Sequence, residues 1–455
     1  MKIQLANKNL DLMPFLVGVL FFFTAGFIFY LYTIDLSVLF IGLILVVYAR
    51  FFRKIKDLPS GVDLAILGAV AVAMVLITSV VFRGDGYWIP AIGFIMLVTI
   101  LFDNLELSLL YAVFIALLGS AAYGGSYNLA ISLFAGSMAA AMLSQRAWHR
   151  FKVIRVAVAA GIVQFVCAFI AERSRSGDFL AFTGDVSLLK ICFLNGVISA
   201  GIVLLFLPIF EYVFRVITSI SLLELSDSRH PLMKRLIMEA PGTYHHSLVV
   251  ANLSEAAAEA IGANFLLARI GAYYHDIGKL DKSNYFSENQ IAYKDAHKDL
   301  KPSMSKLIIM NHVKEGVDLA KAQKLNPRII DFIRQHHGRT LVYYFYHRAK
   351  ELEPGSEQQE EEYRYPGPRP QSRETAIVSL ADTIEALSRT LDDPSPSRIE
   401  EMVKEVVRKR FMEGELDESD LTLKDIDKIT QQFVRILNAL FHTRVNYPKE
   451  DRNGK

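Results

Sequence analysis

The chain is poor in the residues and the net charge that several common classes of function require. It contains only two cysteines, Cys167 and Cys192, and both lie in apolar runs. The sequence therefore predicts neither a disulfide scaffold nor a cysteine-based metal site. The formal net charge is only +2, so there is no general attraction for a nucleic-acid polymer. Strand-like alternation of apolar and polar residues is short wherever it occurs, which favours an all-α fold.

Charged residues are scarce in the first half of the chain, and long apolar runs are scarce in the second. The 455 residues are 52% hydrophobic with a mean hydropathy of +0.29, and this length suits two or three domains. The uneven distribution predicts a polytopic membrane domain over residues 1–218. A helical, water-exposed domain follows over 219–445, with a flexible tail at 446–455.

Eight apolar runs approach the roughly 20 residues that a membrane-spanning helix needs. They cover residues 13–32, 36–51, 62–82, 87–103, 106–121, 127–143, 153–171 and 189–216. The fifth and sixth runs are short, so seven spans is the alternative. The first run resembles a secretory signal, but it lacks a small-residue cleavage site and leads through Asp35 into another run, which indicates an uncleaved span.

Basic residues follow the second and sixth runs, at 50–56 and 146–152. Because cytoplasmic loops are enriched in Lys and Arg, both loops and both termini are expected in the cytoplasm, with 172–185 outside. We therefore expect a multi-pass plasma-membrane protein with a cytoplasmic second domain. Glu211 is interpreted as an interface residue, with a functional intramembrane carboxylate as the alternative. The membrane domain is either an anchor or a sensor.

Capping residues predict the helices of the second half. Asn264 is expected to cap a helix that leads to His275, Ser303 and Ser305 are expected to precede the next, and Asn326 to begin a third that Gly338 ends. A further helix is predicted over 374–391. Between these helices, residues 351–372 are acidic and rich in Pro and Gly, which indicates a flexible surface loop, or alternatively a lid over the site.

Seven imidazole and carboxylate side chains in this half have the chemistry of metal ligands. They are His246, His275, Asp276, His312, His336, His337 and Asp382. Seven is about the number that two metals need if one carboxylate bridges them, and paired metals recur in phosphate-ester hydrolysis. An isolated histidine is more often a packing or surface residue, and five others are interpreted in that way. They are His149, His230, His297, His347 and His442.

Local context strengthens three of the candidates. Adjacent helical residues point about 100° apart, so His336 and His337 can face one site only at the end or edge of a helix, and Gly338 provides that end. Asp382 shares an apolar helical stripe with Val378 and Ala386, where a carboxylate is costly to bury unless it is paired or metal-bound.

The ordered set, a single His, then His-Asp, then further His residues and a distal Asp, resembles the HD phosphohydrolases. Longer motifs are similar to those of the membrane-bound seven-transmembrane-receptor HD phosphodiesterases of the PgpH type, which hydrolyse cyclic di-AMP. These motifs are Pro241-Gly-Thr-Tyr-His-His-Ser247, His275-Asp-Ile-Gly-Lys279, Tyr285-Phe-Ser-Glu-Asn-Gln290, Asn311-His-Val-Lys-Glu-Gly316, His336-His-Gly338, Tyr343-Tyr-Phe-Tyr-His347, Tyr363-Arg-Tyr-Pro-Gly-Pro368 and Ser379-Leu-Ala-Asp-Thr-Ile-Glu-Ala386. The chain departs from that family in one respect. Only residues 32–35 separate the first two apolar runs, where full-length members carry a large extracytoplasmic domain.

The resemblance implies a helical bundle with two metals and a role for each candidate. His246, His275, Asp276 and Asp382 would hold the first metal, and Asp276 would bridge to a second held by His312, His336 and His337. His246 is preferred to His245 because the family ligand directly precedes a serine, here Ser247. Lys279 would bind a phosphoryl oxygen while a metal-activated hydroxide attacks phosphorus, so the predicted catalytic residues are Asp276 and Lys279. Ligation without thiolates favours iron or manganese.

The substrate expectation also depends on the resemblance. Enzymes of the HD-GYP type, which cleave cyclic di-GMP, carry Gly-Tyr-Pro soon after their paired histidines, whereas His337 is followed by Gly338-Arg-Thr-Leu341. Cyclic di-AMP is therefore expected to be hydrolysed to linear pApA. Arg339, Tyr344 and Tyr365 are the candidate substrate-binding residues.

Two other functions compete with this one: hydrolysis of cyclic di-GMP or a guanosine alarmone, and nucleotide binding by a non-catalytic membrane receptor. A transporter is the least favoured because few charges lie in the apolar runs. The expected partners are a cyclic dinucleotide and the lipid bilayer, with a homodimer as the candidate assembly and no nucleic-acid polymer.

Overall fold

The computed structural model describes residues 2–5, 8–11, 61–145, 147–176, 186–290, 296–352 and 360–441. Nearly all of these residues that are in regular structure are helical, as predicted. The exception is a short antiparallel hairpin of strands β1 (Lys2–Leu5) and β2 (Lys8–Asp11), which pairs Lys2 with Asp11. The described chain forms two compact units, residues 1–220 and 221–455.

Six helices of the first unit correspond to the last six predicted apolar runs. They are α1 (Gly61–Val81), α2 (Ala91–Phe102), α3 (Leu105–Ala122), α4 (Tyr127–Ser144), α5 (Arg150–Ser176) and α6 (Val186–Phe214). Five of the described helices are long and apolar enough to cross a membrane, and α2 is shorter, extended at its start by a 3₁₀ turn at Gly86–Trp88. The first two predicted runs, 13–32 and 36–51, lie outside the described residues. The choice between seven and eight spans therefore stays a prediction.

Small residues let the helices of this unit approach closely, as in other membrane bundles. A Cβ atom added at Gly196 would lie 2.6 Å from the carbonyl oxygen of Ala157, so α5 and α6 pack backbone against backbone there. Glu211 is buried near the end of α6, and its carboxylate accepts a hydrogen bond of 2.8 Å from the backbone N–H of Thr218. It thus stabilises the turn that follows the helix.

The described part of the second unit is mainly helical, and its first helix begins two residues before the boundary between the units. Its helices are α7 (Ser219–Leu225), α8 (Pro231–Glu239), α9 (Pro241–Ala260), α10 (Phe265–Tyr274), α11 (Pro302–Ala322), α12 (Pro327–Gln335), α13 (Tyr343–Leu352), α14 (Arg373–Ser388), α15 (Pro396–Met412) and α16 (Leu423–Leu440). Short 3₁₀ segments occupy Ile277–Tyr285, Ser287–Asn289 and Glu360–Tyr363.

Several local predictions are confirmed in this unit, and two are wrong in detail. Asn264 caps α10 by accepting a hydrogen bond from the N–H of Leu267, and Asn326 caps α12 in the same way through Arg328. Ser303 and Ser305 lie inside α11 rather than before it, because Pro302 takes the first helical position, where its missing N–H has no cost. The helix predicted over 374–391 ends at Ser388.

The predicted flexible loop at 351–372 is, in its second half, packed against the rest of the unit. The backbone N–H of Val342 donates to the carbonyl of Tyr363, and the N–H of Tyr365 donates to Thr340. Both tyrosine side chains are buried. Tight backbone pairing with residues 340–342 therefore replaces the solvent-exposed loop over these residues.

Candidate metal centre

Five segments of the second unit bring the seven predicted ligands together. His246 lies on α9, and His275 and Asp276 follow the last turn of α10. His312 lies on α11, His336 and His337 follow α12, and Asp382 lies on α14. Their ligand atoms form two groups, each with its atoms within 4.8 Å of one another. The first group is His246, His275, Asp276 and Asp382, called here the carboxylate half, and the second is His312, His336 and His337, called the imidazole half.

Glycine permits the close packing that brings the halves together. A Cβ atom at Gly278 would collide with the carbonyl oxygen of His312. The 3₁₀ segment after Asp276 can therefore lie directly against α11 only because this position lacks a side chain.

The carboxylate of Asp276 faces both halves. Its Oδ2 atom lies 3.3 Å from Nε2 of His275 and 3.6 Å from Nε2 of His246, whereas Oδ1 lies 3.4 Å from Nε2 of His312 and 3.6 Å from Nε2 of His336. Each oxygen of one buried side chain therefore adjoins a different group of imidazoles. This is the arrangement that a bridging carboxylate requires.

Hydrogen bonds on the outer side of the rings orient four of the histidines. Nδ1 of His275 lies 2.7 Å from the carbonyl of Ala272, and Nδ1 of His312 lies 2.5 Å from that of Ile309. His336 bonds Ile333 in the same way at 2.9 Å, and Nδ1 of His246 lies 2.5 Å from Oε2 of Glu385. Each bond leaves Nε2 directed at the centre, as metal-ligating histidines require.

The two halves differ in their electrostatics. Burial lowers the pKa of His336 to about 3, and burial also lowers the pKa of His312 and His337 below the usual value. These three rings are neutral at physiological pH. Burial acts in the same direction on His246 and His275, but hydrogen bonds and charge from Asp382, Asp276 and Glu385 outweigh it. They raise the pKa of His246, and that of His275 to about 10.

These residues fit divalent metals. Nε2 of His275 and Oδ1 of Asp276 are buried, and neither makes a hydrogen bond within the described part of the chain. Two metal ligands at about 2.1 Å and at right angles lie about 3 Å apart, close to the 3.1 Å between Nε2 of His246 and Oδ1 of Asp382. Raised pKa values beside two buried carboxylates mark a place where positive charge is stabilised, and bound metal would supply that charge in place of protons. The chain thus has a divalent-metal site.

Lys279 lies at the edge of the carboxylate half. Its Nζ atom is 2.7 Å from Oδ2 of Asp276 and 2.9 Å from Oε1 of Glu288, with only 13% of the side chain exposed. Burial would lower the pKa of Lys279, but the two carboxylates raise it above its usual range. The side chain is therefore a permanent cation beside the metal ligands.

Two acidic residues at the site were not assigned a role from the sequence. Glu385 binds His246, and Glu288 holds Lys279. Glu385 follows Asp382 by three residues on α14 and so shares its helical face, a spacing that was available as a signal. Glu288 lies in the motif Tyr285-Phe-Ser-Glu-Asn-Gln290, but its contact with Lys279 depends on the folding of the 3₁₀ segments. His245 is exposed, whereas His246 is buried among the other predicted ligands.

A cavity of about 480 Å³ opens over the ligands. Lys279, Tyr365 and Arg389 line it together with ligands of both halves. The ring of Tyr365 stacks on that of His337 with centroids 4.2 Å apart, so the packed part of the predicted loop forms a wall of the site. The predicted substrate-binding residues Arg339 and Tyr344 are both exposed. Neither is among the described residues that line this cavity or a second cavity that adjoins it.

Two known families match this chain, one in its first half and one in its second half. Residues 27–218 match the family described as "7TM receptor with intracellular HD hydrolase", and residues 243–387 match the HD domain. All seven predicted ligands lie within the second match. The first half of the chain is thus similar to the membrane domain of 7TM receptors with an intracellular HD hydrolase, and the second half is similar to an HD domain. The chain is a multi-pass membrane protein.

Individual relatives include proteins of known name. The chain is 34% identical over 434 residues to the cyclic-di-AMP phosphodiesterase PgpH of Bacillus subtilis, covering 91% of this chain but 60% of the relative. It is 41% identical over 266 residues to PgpH of Listeria monocytogenes, covering 58% of this chain and 36% of the relative. A crystal structure of the Listeria PgpH HD domain with cyclic di-AMP is 44% identical, with a TM-score of 0.45, and covers 48% of this chain and all of that one. The chain thus spans three fifths or less of the length of these curated relatives.

Proposed function

We propose that this protein is a membrane-bound, metal-dependent phosphodiesterase that hydrolyses cyclic di-AMP to linear pApA. The observation that carries the proposal is the carboxylate of Asp276, whose two oxygens adjoin two separate groups of imidazoles. An arrangement of this kind suits a pair of metals, and paired metals suit in-line displacement at phosphorus.

The proposed ligands of the first metal are His246, His275, Asp276 and Asp382. Those of the second are His312, His336 and His337, with Asp276 shared. Histidine and carboxylate ligands without thiolates favour iron or manganese. When bound, two such metals lower the pKa of a water molecule and offset the negative charge of phosphoryl oxygens.

Lys279 is proposed to bind a non-bridging phosphoryl oxygen. It lines the cavity over the ligands, and Glu288 holds its ammonium group in place. As water attacks phosphorus, the bond from phosphorus to the 3′-oxygen breaks and negative charge shifts onto the oxygens, where a fixed cation stabilises it. Tyr365 and Phe286 form apolar parts of the wall and limit the access of other water molecules.

Cyclic di-AMP is proposed as the substrate for two reasons. The relatives that resemble the chain over much of its length bear that activity in their names. In addition, Gly338-Arg-Thr-Leu341 stands where enzymes for cyclic di-GMP carry Gly-Tyr-Pro. We propose a membrane domain at residues 1–218 and a catalytic domain at residues 219–445. Since the messenger occurs inside cells, the catalytic domain is expected on the cytoplasmic side of the membrane. Formation of a homodimer stays a prediction.

The test is turnover of cyclic dinucleotides by the purified full-length chain in detergent, loaded with manganese or iron. We expect pApA from cyclic di-AMP by chromatography and little product from cyclic di-GMP. If only cyclic di-GMP is linearised, the proposed substrate is wrong. If cyclic di-AMP binds but neither nucleotide is cleaved under either metal, the protein is a receptor rather than an enzyme.

A further inference from the structure

A second cavity, of about 580 Å³, adjoins the one over the metal ligands. The two share four lining residues, among them Tyr365, His337 and Asp382. They are therefore neighbouring lobes of one recess, and each lobe lies within the range of volumes at which proteins bind small molecules. The lobe that contains Lys279 is called the metal lobe, and the other the outer lobe.

The outer lobe combines apolar walls with aromatic rings and cations. Its apolar wall includes Leu341, Leu387 and Val406, and Tyr343 and Tyr365 contribute rings. Three cations, Arg364, Lys409 and Arg410, also line it. A nucleotide needs this combination, because a base has flat apolar faces and a phosphate carries negative charge.

The three cations differ in their present contacts. Arg364 is paired with Glu360, and Arg410 lies 3.4 Å from Glu413, so glutamates of the same lobe already balance both charges. The ammonium group of Lys409 instead lies over the ring of Tyr343, 5.3 Å from its centroid. Lys409 and Tyr343 thus place a cation directly beside an aromatic face.

We propose that the outer lobe binds the half of the cyclic dinucleotide that is not being cleaved, with Lys409 contacting the second phosphate and Tyr343 stacking on the base. This inference rests on the proposed function. A cyclic dinucleotide carries two phosphates in one ring, so when one phosphate is at the metal ligands, the other half must occupy an adjoining space. The outer lobe provides that space and shares the wall formed by Tyr365.

One consequence is selectivity for dinucleotides over smaller diesters. A small aryl phosphodiester reaches the metal lobe alone and gains nothing from Lys409 or Tyr343. A substitution in the outer lobe should therefore weaken the reaction of cyclic di-AMP more than that of bis(p-nitrophenyl) phosphate. A merely structural role would affect both substrates alike.

The first experiment replaces Lys409 by glutamine in the manganese-loaded full-length chain. The kcat/KM for cyclic di-AMP should fall roughly tenfold further than that for bis(p-nitrophenyl) phosphate, mainly through KM, and the difference should shrink at high salt. The control is Lys404→Gln on the same helix α15, where the side chain is 63% exposed and paired with Glu400. This variant should leave kcat/KM unchanged for both substrates.

The outcomes separate the two proposals. Suppose that the unmodified protein cleaves cyclic di-AMP, and that Lys409→Gln lowers kcat/KM equally for both substrates or leaves both values unchanged. The outer-lobe inference is then wrong and the proposed function stands. If the unmodified protein neither binds nor cleaves cyclic di-AMP while bis(p-nitrophenyl) phosphate is hydrolysed, the proposed substrate fails, and the inference fails with it.

A second pair of variants tests the aromatic contact. Tyr343 and Tyr344 are adjacent exposed residues, but only Tyr343 is among the residues that line the outer lobe. Loss of base stacking predicts that Tyr343→Leu raises KM for cyclic di-AMP about tenfold more than Tyr344→Leu does. A larger effect at Tyr344 would overturn the assignment of the base to this lobe.

Discussion

The carboxylate half and the imidazole half of the site are both largely buried, yet the pKa values of their histidines shift in opposite directions. Burial lowers the pKa of His336 to about 3, whereas Asp276 and Asp382 raise that of His275 to about 10. The centroids of these two rings are only 5.0 Å apart. The hydrogen bonds and charges of Asp276 and Asp382 on His275, together with repulsion from His275 on His336, therefore decide which imidazole carries positive charge.

The comparison shows how one site can be prepared for two metals. The imidazole half is neutral and has ligand nitrogens ready, because its rings cost too much to protonate. The carboxylate half is built to hold positive charge. Asp276 belongs to both halves through its two oxygens, so changes at the bridge should have the largest effects and changes in the surrounding residues the smallest.

The largest expected effect is that of Asp276→Ala, which removes the residue common to both halves. Both metals should be lost, and activity should fall by more than about 10³-fold, because several kcal/mol of charge stabilisation are removed. Metal content by elemental analysis and turnover of cyclic di-AMP measure this, with helical content by circular dichroism as the folding control. Retention of two metals per chain would exclude the bridging role.

A change within the imidazole half should separate the halves. His312→Ala removes one neutral ligand and leaves the carboxylate half intact, so metal content should fall from about two to about one per chain. Activity should fall with it, less severely than in Asp276→Ala. Loss of both metals would show that the two halves do not bind metal independently. The difference between the halves would then be a property of the metal-free protein only.

A smaller effect is expected behind the carboxylate half. Glu385→Gln keeps an acceptor near Nδ1 of His246 but removes its charge, so metal affinity should fall about tenfold, within the range for outer partners of ligands. Calorimetric titration of the metal-free protein measures this. The control is Glu374→Gln, also buried on α14, whose carboxylate accepts a bond from the N–H of Asn264. Equal losses of affinity in both variants would contradict the positioning role of Glu385.

The smallest effect concerns Lys279. Glu288→Gln keeps an acceptor for the ammonium group of Lys279 but removes the charge that pairs with it, so the ammonium group is less firmly held, and kcat/KM for cyclic di-AMP should fall several-fold to about tenfold. Glu315→Gln is the control, because it breaks the ion pair with Lys282, whose side chain is 40% exposed. Such exposed pairs contribute about 1 kcal/mol or less. An unchanged kcat/KM in Glu288→Gln would contradict the assigned role.

Much of the site could be predicted because the type of a side chain determines whether it can act as a metal ligand. Carboxylates and imidazoles on the buried faces of helices are costly unless something binds them. Gly338 marked the helix end at His336 and His337, and Asn264 and Asn326 marked helix starts. The apolar runs indicated the membrane helices for the same reason, since a bilayer imposes a length and a composition.

The remaining features depend on contacts between distant segments. Glu385 lies 139 residues from His246, and Lys279 meets Glu288 only through the fold of two 3₁₀ segments. Residues 351–372 resemble a surface loop in composition, yet backbone pairing with Thr340 and Val342 buries Tyr363 and Tyr365. Tyr343 rather than Tyr344 lines the outer lobe because of the direction in which α13 presents it.

The sequence by itself determined which side chains can hold metals and which segments can span a bilayer, because charge, ligand type and hydropathy are properties of residues. Only the tertiary structure decided that the two oxygens of Asp276 face different groups of imidazoles, and that neighbouring histidines have opposite pKa shifts. Both depend on distances of a few ångströms between segments far apart in the chain, and packing alone sets those distances.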